Sequence, residues 1–287
     1  MAKRKKGIKR SIIAIIVFIV GLSIFLYPTV SNLYYELGTQ REISNYDTAV
    51  KSVSQEEIAK KLKLAKAYNS TIDASKLVEP FTPSQKRQGV AEYARMLEVK
   101  EKIGYVEIPR IQQSLPIYAG TSDEVLSKGV GHMEGTSLPV GGKSTHAVLA
   151  GHRGLPTKKI FTDLDKVKKG DVFFIHVLDK VLAYKVNSIK VIEPSDFKPI
   201  LVQPSKDLVS LLTCTPLGIN SHRLLVTGYR IPYTPDANLK LNDIYSLKRK
   251  YLIACVVSGA IILALICVIH RQRVKLHRSN QVEFEKN

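Results

Sequence analysis

Two charge-free apolar runs bracket this chain and dictate its layout. Ser11 to Val30 is 20 residues of mostly Ile, Val, Phe and Leu, and Tyr251 to Ile269 is 19. At about 1.5 Å of rise per residue, a helix over either run covers roughly 30 Å, the hydrocarbon thickness of a bilayer. Lys3, Arg4, Lys5, Lys6, Lys9 and Arg10 precede the first run, and Arg271, Arg273, Lys275 and Arg278 follow the second. Positive flanks stay on the cytoplasmic side. The expected division is a cytoplasmic basic segment at 1–10, an anchor at 11–30, an extracellular part, a linker at 236–250, a second transmembrane helix at 251–269 and a cytoplasmic tail at 270–287. The first run is expected to be an uncleaved anchor, because its apolar core exceeds the roughly 7–15 residues of a signal peptide and no A-x-A site follows it.

The charge balance fits that layout. The net charge is +18, yet residues 1–10 and 248–287 supply 14 Lys+Arg against 2 acids, two thirds of the excess. The outer part carries 29 Lys+Arg against 23 acids, with no RNA- or DNA-binding motif and no basic stripe interleaved with aromatics. No nucleic-acid partner is expected. Membrane lipid is.

The outer 212 residues, Glu36 to Leu247, are enough for one domain with a sizeable core. Its first third, 36–102, reads helical. Ser54-Gln-Glu-Glu57 is a capping box ahead of Ile58, Leu62 and Ala65 on one face. A second helix is expected from Thr82-Pro83-Ser84-Gln85, with Val90, Tyr93, Ala94 and Leu97 along one side. From Ile103 the pattern turns to short β runs: 104–108, 115–118, 147–150, 172–178, 181–191, 208–213 and 224–231. A tight hairpin is expected at Asp179-Lys180. Many short strands with few helices between them favour an antiparallel barrel or sandwich over a parallel α/β sheet.

Cys214 is the one cysteine outside the apolar runs, since Cys255 and Cys267 both lie within the second. The outer part therefore closes no internal disulfide, and a lone exported thiol is an oxidation liability whose presence hints at use. Arg223 follows nine positions later. If 208–213 and 224–231 are antiparallel neighbours, the two residues sit at the mouths of adjacent strands, about 5 Å apart. A thiol attacking a carbonyl makes an oxyanion, and a guanidinium at that distance can stabilise it. A structural cysteine beside a surface arginine satisfies the same spacing. The thiol also needs a proton carrier. Of His132, His146, His152, His176 and His222, His152 leads, because Gly151-His152-Arg153-Gly154 ends an apolar run and leaves the imidazole accessible. His132-Met133-Glu134 begins like a zinc deaminase, but no C-x-x-C completes it, and there is no G-x-S-x-G or Walker A.

Thr213-Cys214-Thr215-Pro216 through His222-Arg223, with Gly151-His152-Arg153-Gly154 upstream, resembles the sortases of Gram-positive bacteria, and class C, the pilus-assembling branch, above all. Gly129 to Gly142 and Phe161-Thr-Asp-Leu-Asp165 also look like that family. The resemblance implies a mainly β fold: a sortase-type eight-stranded barrel at 103–235 with N-terminal helices and a lid, flanked by the two transmembrane helices. It implies that His152, Cys214 and Arg223 form the catalytic set of a cysteine transpeptidase. This enzyme would cleave an LPXTG-like sorting signal between Thr and Gly and pass the acyl group to an acceptor lysine of a pilin subunit. No metal or other cofactor is implied. Class C enzymes usually carry an Asp-Pro-aromatic lid, and the matching place, in a lid at about 70–83, reads Glu79-Pro80-Phe81, one methylene longer at the acid. Leu217 stands where many relatives carry an aromatic. The alternatives are a sortase that anchors single surface proteins to the cell wall and a membrane-tethered binding domain without catalysis.

Overall fold

A computed structural model describes residues 2–72 and 96–234, with positions 253 and 259. The chain divides into two units, Met1–Tyr233 and Thr234–Asn287, and every strand described below lies in the first. The second expected helix from Thr82, the Glu79-Pro80-Phe81 segment and nearly all of 235–287 lie outside the described residues.

Helix α1 runs unbroken from Ala2 to Lys51. Its stretch from Val17 is long and apolar enough to cross a membrane, and none of that apolar window is buried by protein. The helix extends well past the apolar run because its last turns change role: Ile43, Tyr46 and Val50 are buried. Helix α2 (Gln55–Asn69) begins as its capping box requires, with the Ser54 hydroxyl accepting from the Glu57 amide, and buries Ile58, Leu62, Ala65 and Asn69. The Asn69 side chain then bonds Leu138 in both directions, donating to its carbonyl at 3.1 Å and accepting from its amide at 2.7 Å.

Eight strands close a barrel: β1 (Gly104–Ile108), β2 (Gln113–Ala119), β3 (Val130–His132), β4 (Thr145–Ala150), β5 (Val172–Val177), β6 (Lys180–Ile192), β7 (Asp207–Thr215) and β8 (His222–Ile231). Helix α3 (Asp123–Lys128) sits between β2 and β3. Round the barrel the order is β1-β2-β3-β4-β7-β8-β6-β5. The sheet is mixed rather than purely antiparallel, because β2 pairs parallel with β3 and β4 parallel with β7. Crossovers produce those pairings: α3 connects β2 to β3, while the β5–β6 hairpin and its flanks separate β4 from β7.

The β5–β6 hairpin turns one residue earlier than its sequence suggests. Val177 pairs with Lys180, so Leu178 and Asp179 form the turn. Leu178 takes φ +50°, a region few leucines enter. Tertiary contacts hold it there: its side chain is buried, and its amide donates to the Tyr46 hydroxyl at 2.8 Å. Tyr46 also donates to the Ile103 carbonyl, so a single buried ring ties α1 to two parts of the barrel. Tyr46→Phe orphans the buried Leu178 amide and should cost about 1–3 kcal/mol. Denaturant unfolding of the full chain in micelles measures this, and an unchanged midpoint would contradict the tie.

Strands β4, β7 and β8 are buried on both faces, which is why they read as unbroken apolar runs. Ala147, Leu149, Val209, Leu211, Leu224 and Val226 join the main core. Their neighbours Val148, Leu212 and Leu225 point the other way, into a second cluster with Met133 and Ile200, against which Ile192 and Phe197 pack. The connection from β6 to β7 roofs that second face.

Candidate active site

The second face of β4, β7 and β8 leads to one end of these three strands. Across the antiparallel β7–β8 ladder Leu212 opposes Leu225, and Cys214 then opposes Arg223. Directly opposed residues share a face with Cα atoms about 4.5–5.5 Å apart. Both are buried, Cys214 at 8% and Arg223 at 7% exposure. For a thiol and a guanidinium this is close confinement away from bulk water. The Arg223 Nη1 donates to the carbonyls of Asn220 (2.9 Å) and His222 (3.0 Å), which fixes the guanidinium against the β7–β8 turn.

His152 reaches the same end from the other side of β7. Ala150 pairs with Leu212 in the parallel β4–β7 ladder, and the Gly151 amide donates to the Leu212 carbonyl at 3.0 Å. His152 thus follows directly on the last backbone bond, level with the strand end that bears Cys214, and the residue is half-buried. Gly151 is required there by space. A Cβ on it would lie 2.7 Å from Cδ2 of the fully buried Phe161 ring.

The other four histidines are engaged elsewhere. The His132 Nε2 lies 2.7 Å from the Ser137 carbonyl, and burial lowers its pKa to about 4. His146 bridges the Leu201 carbonyl (3.1 Å) and the Ser210 hydroxyl (2.8 Å), and burial lowers its pKa as well. The His176 ring stacks on Tyr105, and its Nε2 lies 3.2 Å from Glu107 on the far side of the barrel. His222 opposes Thr215, one residue from the thiol, but turns to Glu193 at 3.1 Å. Register therefore separates His152 from its rivals where sequence gave only local flexibility.

Beside Arg223 the second face opens into a small apolar pocket. It is lined by Met133, Ile192, Pro194, Asp196, Phe197, Ile200 and Leu212 together with the arginine. The pocket floor is sheet and its wall is the β6–β7 connection. Leu217 and Ile219, in the β7–β8 turn, are exposed at the same end.

Sequence reasoning passed over two residues that brace the site. The Thr213 hydroxyl donates to the Gly151 carbonyl at 2.7 Å. The Arg153 guanidinium is nearly buried and reaches Thr162, Asp165 and Thr215. The Gly-His-Arg-Gly run contains Arg153, but its partners lie 9 to 62 residues away, and no local pattern points to them.

A sortase domain matches residues 106–231, which covers the barrel almost strand for strand. The crystal structure of sortase C-1 from Streptococcus pneumoniae is 51% identical and superimposes with a TM-score of 0.66, covering 68% of this chain and 100% of its own. The chain belongs to the sortase family. A pilus-related sortase C of Group B Streptococcus is 53% identical at a TM-score of 0.64, covering 66% of this chain and 97% of its own. Sortase A of Bacillus anthracis is 26% identical over 219 residues, covering 76% of this chain and 92% of that protein. Half-identical neighbours that are sortases C place this sortase in class C, and sortases are cysteine transpeptidases.

Proposed function

We propose that this sortase is a pilin polymerase held in the cytoplasmic membrane by both apolar runs, with its barrel on the extracellular side. The observation that carries the proposal is the opposition of Cys214 and Arg223 across β7–β8, with His152 at the neighbouring strand end. Cys214, as a thiolate whose proton His152 holds, attacks the Thr–Gly carbonyl of an LPXTG-like sorting signal. The oxyanion that forms faces the Arg223 guanidinium, a fixed donor in a site largely closed to water. His152 delivers a proton to the leaving glycine amine, the C–N bond breaks, and a thioester joins the Thr carbonyl to Cys214. The lysine amine of the next pilin then attacks the thioester, His152 takes its proton, and the thiolate leaves as the isopeptide bond forms. Splitting one amide exchange into two thioester steps lets an amine compete with water.

Supporting this reading over cell-wall anchoring are the class C neighbours and the Glu79-Pro80-Phe81 segment, which stands where class C enzymes keep a lid. The acceptor decides between the two. Supplied with an LPXTG-type peptide, the full chain in nanodiscs should join it to a lysine-bearing pilin domain. Transfer only to a peptidoglycan-type amine would identify an anchoring enzyme instead.

If Phe81 covers the thiol, Phe81→Ala should speed alkylation of Cys214 severalfold. Peptide mass spectrometry on the alkylated chain measures it, and an unchanged rate would remove the lid from the account.

A further inference from the structure

We propose that Arg153 is a positioning residue that sets the separation of His152 and Cys214. The inference rests on the reading of these two as proton carrier and nucleophile. It starts from a gap in the backbone: the β4–β7 ladder ends at the bond from Gly151 to Leu212, one residue short of His152 and two short of Cys214. Beyond that point side chains must hold the two segments together. The Thr213 hydroxyl makes the first tie, to the Gly151 carbonyl. Arg153 makes the second, with Nη1 donating to the Thr215 hydroxyl at 3.0 Å. The residue after the histidine is thereby bonded to the residue after the cysteine.

The guanidinium is itself fixed in two further directions. Its Nε donates to the Thr162 carbonyl at 3.2 Å, and its Nη2 meets Asp165 at 2.6 Å. The Arg153 side chain is only 7% exposed while Asp165 is 51% exposed, so the buried cation anchors to an acid at the surface. Thr162 closes the loop again, because its hydroxyl accepts from the Gly154 amide at 3.2 Å, and the Phe161 amide donates to the His152 carbonyl at 3.0 Å. The His152 carbonyl and the Gly154 amide are thus both referred to the 161–165 segment, and Arg153 refers that segment to β7. A planar fork with donors in three directions does this; a lysine, with one ammonium, does not. Misplacing a catalytic group by about 1 Å can cost on the order of 10²-fold in rate.

The test uses the full chain in nanodiscs with Thr215→Val, Thr215→Ser, Arg153→Lys and the Arg153→Lys/Thr215→Val double variant. Turnover is measured with an LPXTG-type peptide and an amine acceptor. Alkylation of Cys214 by iodoacetamide is followed against pH, with the Cys214 peptide quantified separately from Cys255 and Cys267. Thr215→Val and Arg153→Lys should each lower kcat about 10-fold or more while KM stays within about twofold. The alkylation profile should move toward the free-thiol value, about 8.5. Thr215→Ser restores the hydroxyl and should recover kcat. The double variant should be no worse than Arg153→Lys, because both changes cut one link. Wild-type kcat and an unmoved profile in Thr215→Val would overturn the proposal, as would fully additive losses. If the wild-type chain consumes no peptide, the transpeptidase reading fails separately, and the alkylation profile still decides whether Arg153 sets the geometry.

Discussion

Cys214→Ala ends turnover of an LPXTG-type peptide, a loss on the order of 10⁴-fold or more, while the barrel stays folded. The expectation follows from chemistry and burial together. Alanine removes one sulfur atom from a buried position at the end of β7 and leaves the Leu212–Leu225 and Thr213–Leu224 pairs of the ladder untouched. The fold therefore loses little, but no other thiol stands among the described residues of the barrel. Cys214→Ser is the stricter variant, since it keeps a nucleophilic atom but one far less ionised and less nucleophilic than a thiolate. A serine enzyme with near wild-type kcat would mean that His152 activates a hydroxyl, which contradicts the thioester route.

Arg223→Ala should lower kcat by about 10²–10³-fold, the usual cost of removing one fixed oxyanion donor. Two outcomes for KM are distinguishable. If Arg223 acts only on the developing charge, KM holds. If it also grips substrate in the ground state, KM rises as well. Arg223→Lys keeps the charge but cannot both bond the Asn220 and His222 carbonyls and present a second donor to the site. It should recover only part of the loss. Steady-state kinetics on folded variants check this, and a kcat within twofold of wild type in Arg223→Ala would remove the guanidinium from the chemistry.

Most strands of the barrel were legible in the sequence because they are apolar and bounded by turn residues. Strand β7 reads as Leu208 to Thr213 for the same reason that it is buried on both faces. Strand β3 was not legible: Val130-Gly131-His132 is too short and too glycine-rich to show a period. It is a strand only because β2 and β4 bracket it, with Ile117 and Ala150 as pairing partners at its two edges. The parallel pairings were hidden for a related reason, since nothing local in β4 says that its neighbour is 62 residues away. The hairpin turn moved by one residue because Tyr46, on a helix 132 positions earlier, holds the Leu178 amide. Local turn preference lost to a tertiary hydrogen bond.

The site was legible to a different degree. The nine-residue spacing of Cys214 and Arg223 is a hairpin's length plus two strand ends, so antiparallel pairing alone brings the two together. Placing His152 beside them needed the β4–β7 register, which sequence does not carry. Arg153 shows the limit most plainly. Its role depends on Thr162, Asp165 and Thr215 converging on one guanidinium, and that convergence exists only in the folded chain.

The most direct test is the intact mass of the full chain after incubation with an LPXTG-type peptide and no amine acceptor. The account predicts a covalent adduct equal to the peptide's acyl portion ending at Thr, mapped to Cys214 and released by a lysine amine. No adduct at Cys214, in the wild-type chain or in Phe81→Ala, would contradict it.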